Sequence, residues 1–322
     1  MPAMWKTQCP LSVLQQRAFL LSKIREFFNK KNVLEVETPI LSSAGNTDTN
    51  IESFTAENIN SDFPMSYLRT SPEFPLKRLL CSGIGDVFEL AKVFRKGEYS
   101  KTHNCEFTLL EWYRLKFRYY DLIQEVIELL SYLLCAFQIE VPETEILTFK
   151  QCFKNQLNIN IFNVGTDTLN NKCEEFDYSG SYLDRDEALD YLFATQIQPN
   201  FDNNKFTFVT DYPASQAALA EINSENIKTA LRFEVFYKGQ ELGNGYQELT
   251  DANELLKRFH RDNKKRKLTH SKAIRVDHNL IDAMNEGMPK CSGIAIGIDR
   301  LLMVLLEKKS IHEVMPFNAI NS

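Results

Sequence analysis

The chain has 322 residues, 43% hydrophobic and 25% charged, the balance of a globular protein with a large buried core. Lys plus Arg is 37 against 43 for Asp plus Glu, a net charge of -6, so no global basic field draws in nucleic acid. The first thirty residues lack a basic start followed by an apolar run, no segment is apolar enough to cross a bilayer, and seven scattered cysteines without metal-ligand spacing read as reduced thiols, so a cytoplasmic protein away from membranes is expected.

After Pro10, Ser12 and Gln15 read as a capping box, and Val13, Leu14, Leu20, Leu21, Ile24, Phe27 and Phe28 fall on one helical stripe, predicting a helix from about 12 to 31. Leu34 and Val36 then alternate with Glu35 and Glu37, predicting a strand with one apolar face that ends at Pro39. Residues 86–96 and 106–115, rich in aromatic and branched side chains and separated by GEYSKTHN, predict an antiparallel pair. A helix near 119–137 follows, then an Asn-rich, weakly patterned stretch from about 150 to 182 that reads as peripheral. Strand patterns resume at 206–213 and 232–249, with Lys238-Gly239 as a hairpin turn, and from Cys291 a small-residue strand runs into a helix at 301–306. Helices at the ends with strands grouped between them predict an α+β fold with an antiparallel sheet.

Four constellations carry chemistry. Arg95 and His103 lead into a strand on which Phe107, Glu111 and Tyr113 share a face, giving a stacking platform, a carboxylate and a phenol. By itself this also suits a half-polar solvent face. Gly293, Ala295 and Gly297 lie on one strand face opposite three isoleucines, which would let a flat ligand approach the backbone, with Arg300 at a helix start suited to phosphate; a face packed on a helix reads the same way. Glu234 and Glu241, across a hairpin, can hold Mg²⁺ between them and a triphosphate, or form a solvated acidic edge; Gly243, Asn244, Gly245 and Glu248 follow. Thr70-Ser71-Pro72-Glu73 is a turn before a helix, and the basic run Lys264 to Lys267 is expected to be a solvated helix face.

In this order the segments resemble the class II aminoacyl-tRNA synthetases: FFNKKNVLEVETPIL is similar to motif 1, FRKGEYSKTHNCEFTLLEWY to motif 2 and GIAIGIDRLLM to motif 3, while TSPEFPLKRLL and GQELGNGYQEL resemble the lysyl branch. Within the family the chain most resembles the stand-alone lysyl-tRNA synthetase paralogues that ligate (R)-β-lysine to a lysine of elongation factor P. VTDYPASQAALAEI, and Ala295 where the tRNA-charging members carry glycine, carry that likeness. Only about eleven residues precede the first helix, so no anticodon-binding domain is expected and tRNA is not expected as acceptor. The resemblance implies one catalytic domain over 1–322 with a peripheral insertion at about 140–205, a six-stranded antiparallel sheet flanked by helices, and a homodimer through motif 1, around residues 23–41.

It also implies adenylate chemistry with ATP and Mg²⁺. Arg95 would meet the α-phosphate, Arg300 and His103 the outer phosphates and Phe107 the adenine, with Lys96, Gly97, Asn104, Leu242 and Gly297 completing the ATP site and Glu234 and Glu241 holding the metal. Lysine or (R)-β-lysine would lie among Ser71, Pro72, Glu73, Glu111, Tyr113, Asn244, Glu248 and Ala295, with Glu73 at the amine nearer the carboxylate and Glu248 and Tyr113 at the distant ammonium. Two departures stand out: Arg95 is followed by Lys96-Gly97-Glu98 where the family has Arg-x-Glu, and Cys105 replaces a proline.

Overall fold

The computed structural model describes residues 5–7, 9–57, 65–268 and 271–320. Two compact units emerge, one built from residues 1–141 with 248–322 and the other from 142–247.

The first unit opens with helix α1 (Leu11–Lys30), whose Val13, Leu20, Ile24, Phe27 and Phe28 are buried as the periodicity predicts. The expected capping box is absent: extended Pro10 is the cap residue with no side-chain bond, so Ser12 falls inside the first turn. Short strands β1 (Leu34–Glu35), β2 (Leu41–Ser42), β3 (Thr55–Glu57) and β4 (Met65–Leu68) follow, the last three forming a small sheet ordered β2-β4-β3. Leu34 departs from the expected apolar face, being about half exposed while Val33 takes the buried position. Helix α2 (Glu73–Cys81) leads to β5 (Val87–Phe94) and β6 (Glu106–Leu115), the predicted antiparallel pair, and then to α3 (Tyr119–Ala136).

The second unit contains β7 (Glu143–Thr148), α4 (Phe149–Leu157), α5 (Thr166–Glu175), α6 (Arg185–Leu192), β8 (Lys205–Pro213), β9 (Thr229–Tyr237) and β10 (Gln240–Gln247). Its strands run β10-β9-β8-β7, antiparallel except for β7, which pairs parallel with β8. The Asn-rich stretch supplies part of this unit's core: Phe153, Ile161 and Leu169 from it pack with Leu189, Leu192, Val209, Tyr212 and Phe236. The β9–β10 turn has positive φ at both Lys238 and Gly239, the geometry of a two-residue hairpin that twists with its strands.

The chain then returns to the first unit with α7 (Ala252–Leu268), α8 (His278–Gly287), β11 (Cys291–Gly297) and α9 (Ile298–Leu305). Here the strands run β1-β5-β6-β11, with only the two-residue β1 parallel to its neighbour. In place of the expected six antiparallel strands, eight described strands take part, four in each unit, and they are mixed because one parallel strand flanks the antiparallel ones in each unit. The fold is α+β as predicted.

Strand β6 separates two environments. On one face Trp112 is fully buried against Phe28 of α1 and donates from Nε1 to Glu125 of α3 at 3.0 Å. The other face carries Phe107, Leu109, Glu111 and Tyr113, against β11 in the register Tyr113↔Gly293 and Glu111↔Ala295. The basic run on α7 is not wholly solvated. Arg266 is only 1% exposed and donates to the carbonyls of Asp48 and Lys272, both at 2.9 Å, and to Glu52, because the guanidinium has donors enough to staple several segments at once.

Candidate active site

Arg69 fixes the segment entering α2. Buried, it ion-pairs Glu89 at 2.7 Å and donates to the carbonyls of Thr38 and Lys92, which pins the turn Thr70-Ser71-Pro72 against β5. Glu73 then opens α2, where the helix dipole favours a carboxylate. Four residues on, Lys77 is only 1% exposed, and its ammonium lies 2.7 Å from Glu73 and 2.6 Å from Glu248. The resemblance put Glu73 and Glu248 at different ends of a ligand, but in this structure one internal cation ties them together.

Glu111 and Tyr113 complete this buried group. The Tyr113 hydroxyl donates to Glu111 Oε1 at 2.8 Å, and Glu111 Oε2 is buried with no hydrogen-bond partner among the described residues. Gly293 makes room for the assembly. A Cβ there would fall 2.4 Å from the Tyr113 ring and 2.8 Å from Glu248 Oε1, so side chains fill the space that the sequence reading left for a flat ligand. Further along β11, Ala295 lies across from Glu111 and, like Phe107, packs against the cluster of Ala91, Val93 and Leu109.

Burial dominates the electrostatics. It pushes the Glu111 carboxyl well above the usual carboxylate range, with the Glu73 charge adding to the effect, and it pushes Glu248 up to about 8 although Lys77 opposes it. The Tyr113 phenol is raised for the same reason. The Lys77 ammonium is raised despite burial, by the charges of Glu248 and Glu73. Three carboxylates and one ammonium in a desolvated space call for further positive charge.

The loop from Arg95 to Cys105 is closed by the Arg95 N–H donating to the Cys105 carbonyl at 2.9 Å, with Gly97 turning at φ +85. The Arg95 guanidinium lies 5.2 Å from the centroid of the Phe107 ring and donates to the Thr70 carbonyl at 3.3 Å. Glu98 reaches Arg95 from one position later than the family pattern, at 3.6 Å. The Lys96 N–H is held by the Glu52 carbonyl. Arg300, in the first turn of α9 after Gly297, meets His103 at 2.5 Å between Nη2 and Nε2, and Ser100 lies 2.8 Å from the other ring nitrogen. Its neighbour Asp299 is locked by Arg17 at 2.7 Å and by the Thr108 N–H at 2.7 Å, which fixes the helix start beside β6. Asn104 commits its amide to backbone, donating to the Glu106 carbonyl and accepting from the Ala319 N–H.

Glu234, Glu241, Leu242 and Asn244 belong to the second unit. Glu234 and Asn244 face each other across β9 and β10, and the Glu241 charge helps raise the Glu234 carboxyl, although burial is the larger cause. Glu234 accepts from Arg232 at 2.6 Å and from the Tyr212 hydroxyl at 2.7 Å. Arg232 also donates to the Gln216 carbonyl and to Asn244, and lies over the Tyr212 ring. Leu242 is buried. Two carboxylates on adjacent strands form the oxygen donor set that Mg²⁺ takes alongside phosphate, and each Glu234 oxygen keeps a lone pair beyond its present bond, so the pair fits that ion.

The sequence reading missed Lys77, Arg69, Arg232 and Tyr212. Lys77 left a local signal in its i,i+4 spacing from Glu73, and Arg232 in its i,i+2 spacing from Glu234 on one strand face.

A family model described as tRNA synthetases class II (D, K and N) matches residues 4–321. Three similar proteins are named elongation factor P (R)-β-lysine ligase. Those from Avibacterium paragallinarum and Pasteurella multocida (strain Pm70) are each 41% identical over 99% of this chain and 98% of their own length. The one from Photorhabdus laumondii subsp. laumondii is 40% identical over 98% of each chain. The chain belongs to the class II tRNA synthetase family of the D, K and N type.

Proposed function

We propose that this protein activates (R)-β-lysine or lysine with ATP and ligates it to a lysine side chain of elongation factor P. The observation that carries the reading is the group Glu73, Glu111 and Glu248: the Lys77 ammonium joins the first and the last, and Glu111 keeps a buried oxygen without a hydrogen-bond partner among the described residues. A ligand with two ammonium groups supplies the missing charge. The names carried by the similar proteins support the acceptor, and a translation factor as acceptor fits a cytoplasmic enzyme; among the described residues no helix is long and apolar enough to cross a membrane.

In the first step the amino-acid carboxylate attacks the α-phosphorus of ATP; the bond to the β-phosphate oxygen breaks, and pyrophosphate leaves. In the second, the acceptor amine attacks the carbonyl carbon, AMP leaves and the amine loses a proton. Alignment and charge neutralisation matter most in the first step. Arg95 serves the α-phosphate, Arg300 and His103 the outer phosphates, and Phe107 the base. Mg²⁺, held by Glu234 and Glu241, would neutralise triphosphate charge. Lysine-dependent exchange of pyrophosphate into ATP tests the activation step; exchange that no lysine isomer stimulates would overturn it.

Ala295 bears on which isomer is used. Ala295 lies across from Glu111 and packs against the same small cluster as Phe107, where the carbons bearing the amine and carboxylate would pass. A methylene-sized change in a pocket shifts discrimination by about 1 to 3 kcal/mol, or roughly 10 to 200-fold. Ala295→Gly is therefore expected to improve α-lysine relative to β-lysine within that range, with ATP dependence nearly unchanged, as read by kcat/KM for both isomers. A packing role alone would leave the ratio as it is and cost about 0.5 to 1 kcal/mol of stability.

Dimerisation is part of the same proposal. Leu34, Ile40 and Leu41, around Pro39, leave apolar side chains about half exposed on the segment that resembles motif 1. Sedimentation at micromolar concentration is expected to give a dimer, and a fully active monomer would contradict it.

A further inference from the structure

We propose that Lys77 is a resident counter-cation that sets how many ligand ammonium groups the pocket accepts, tying Glu73 to Glu248 and leaving two of the pocket's three carboxylate charges to be neutralised by substrate. This rests on reading the pocket as the amino-acid site. Without Lys77 three carboxylate charges would face the ligand, and a diamino acid could not neutralise them all.

The geometry supports a fixed role and not a mobile one. Lys77 projects from the second turn of α2, is fully buried, and its ammonium is in contact with carboxylates from two separate segments at 2.7 and 2.6 Å. Among the described residues, no other cation is in contact with Glu73 or Glu248. The titratable groups around it are Glu73 and Cys81 of α2, Glu111 and Tyr113 of β6, Glu248, and Cys291 of β11 with Asp86 near it. Without ligand, burial draws protons onto Glu111 and Glu248, and two incoming ammonium groups would displace them.

Lys77→Met keeps an unbranched side chain one atom shorter and removes its charge. Losing a cation in contact raises a carboxylate's titration by about 1 to 3 pH units. Since Glu248 must ionise to hold an ammonium, the lysine KM at pH 7 is expected to rise at least about tenfold and to recover toward pH 9, while the ATP KM stays within about twofold. Lys77→Arg retains the charge and should keep the wild-type pH profile even if its bulk weakens binding. A lysine KM in Lys77→Met that follows the wild-type pH dependence would overturn the proposal, as would an equal loss at every pH. If Lys77→Met does not fold, calorimetry of lysine binding to the wild-type protein in buffers of different ionisation enthalpy decides. Release of about one proton or more per site at pH 7 is expected, and release of none would contradict the charge count. Should the wild-type protein bind no lysine isomer at all, the amino-acid reading of the pocket fails first, an outcome distinct from a wild type that binds lysine and is indifferent to Lys77.

Discussion

Glu241→Gln is expected to reduce pyrophosphate exchange by at least about a hundredfold at millimolar Mg²⁺. Glu234 compensates poorly, because each of its oxygens already accepts a bond, one from Arg232 and one from Tyr212, and burial raises its carboxyl. Neutralising Glu241 leaves one hindered carboxylate to hold a divalent ion. A bound metal contributes several kcal/mol of charge stabilisation in such reactions, and about 2.7 kcal/mol corresponds to a hundredfold. Raised Mg²⁺ should restore part of the activity, and the thermal midpoint should barely move, since Glu241 lies near the hairpin turn and not in the core. Near-normal exchange at ordinary Mg²⁺ would remove Glu241 from the metal site.

The other large effect is expected at Arg95. Its guanidinium is positioned by the Thr70 carbonyl, the Phe107 ring and Glu98, three contacts from three segments, which is how a donor is held ready before charge develops. Removing one such preorganised donor costs on the order of 10² to 10³ in rate. Arg95→Ala should show that loss mainly in kcat for exchange, with lysine binding measured by calorimetry little changed. Glu98→Ala should do much less. Its contact with Arg95 is long, and both side chains are about a quarter exposed, so solvent screens the pair. A large loss of lysine affinity in Arg95→Ala would move that arginine from the phosphate to the amino acid.

The sequence made the strands and hairpin legible because their signals are local. Alternation along 106–115 places Glu111 and Tyr113 on one face, and Lys238-Gly239 marks a turn that needs two positive φ values. Charge pairing was less legible. Glu73 and Lys77 share a helix face by spacing, but their joint partner Glu248 lies far along the chain, and only the tertiary fold brings it to the same ammonium. Arg266 shows the same limit: four basic residues in a row look solvated until one of them finds two acceptors far along the chain and a third six residues on, and is buried. At the two edges of the Asn-rich stretch the helices carry local signals, Thr148 with Gln151 and Asp184 with Glu187, both reciprocal capping boxes that the polar composition masked.

The central claim is that the activated amino acid goes to a protein. Purified, unmodified elongation factor P incubated with this enzyme, ATP, Mg²⁺ and each lysine isomer, then examined by intact and peptide mass spectrometry, tests it most directly. The expected result is the addition of one lysyl group to one lysine of the factor, dependent on ATP, more efficient with (R)-β-lysine than with α-lysine, and lost in Arg95→Ala. An unmodified factor alongside efficient charging of lysine tRNA by the same preparation would contradict it.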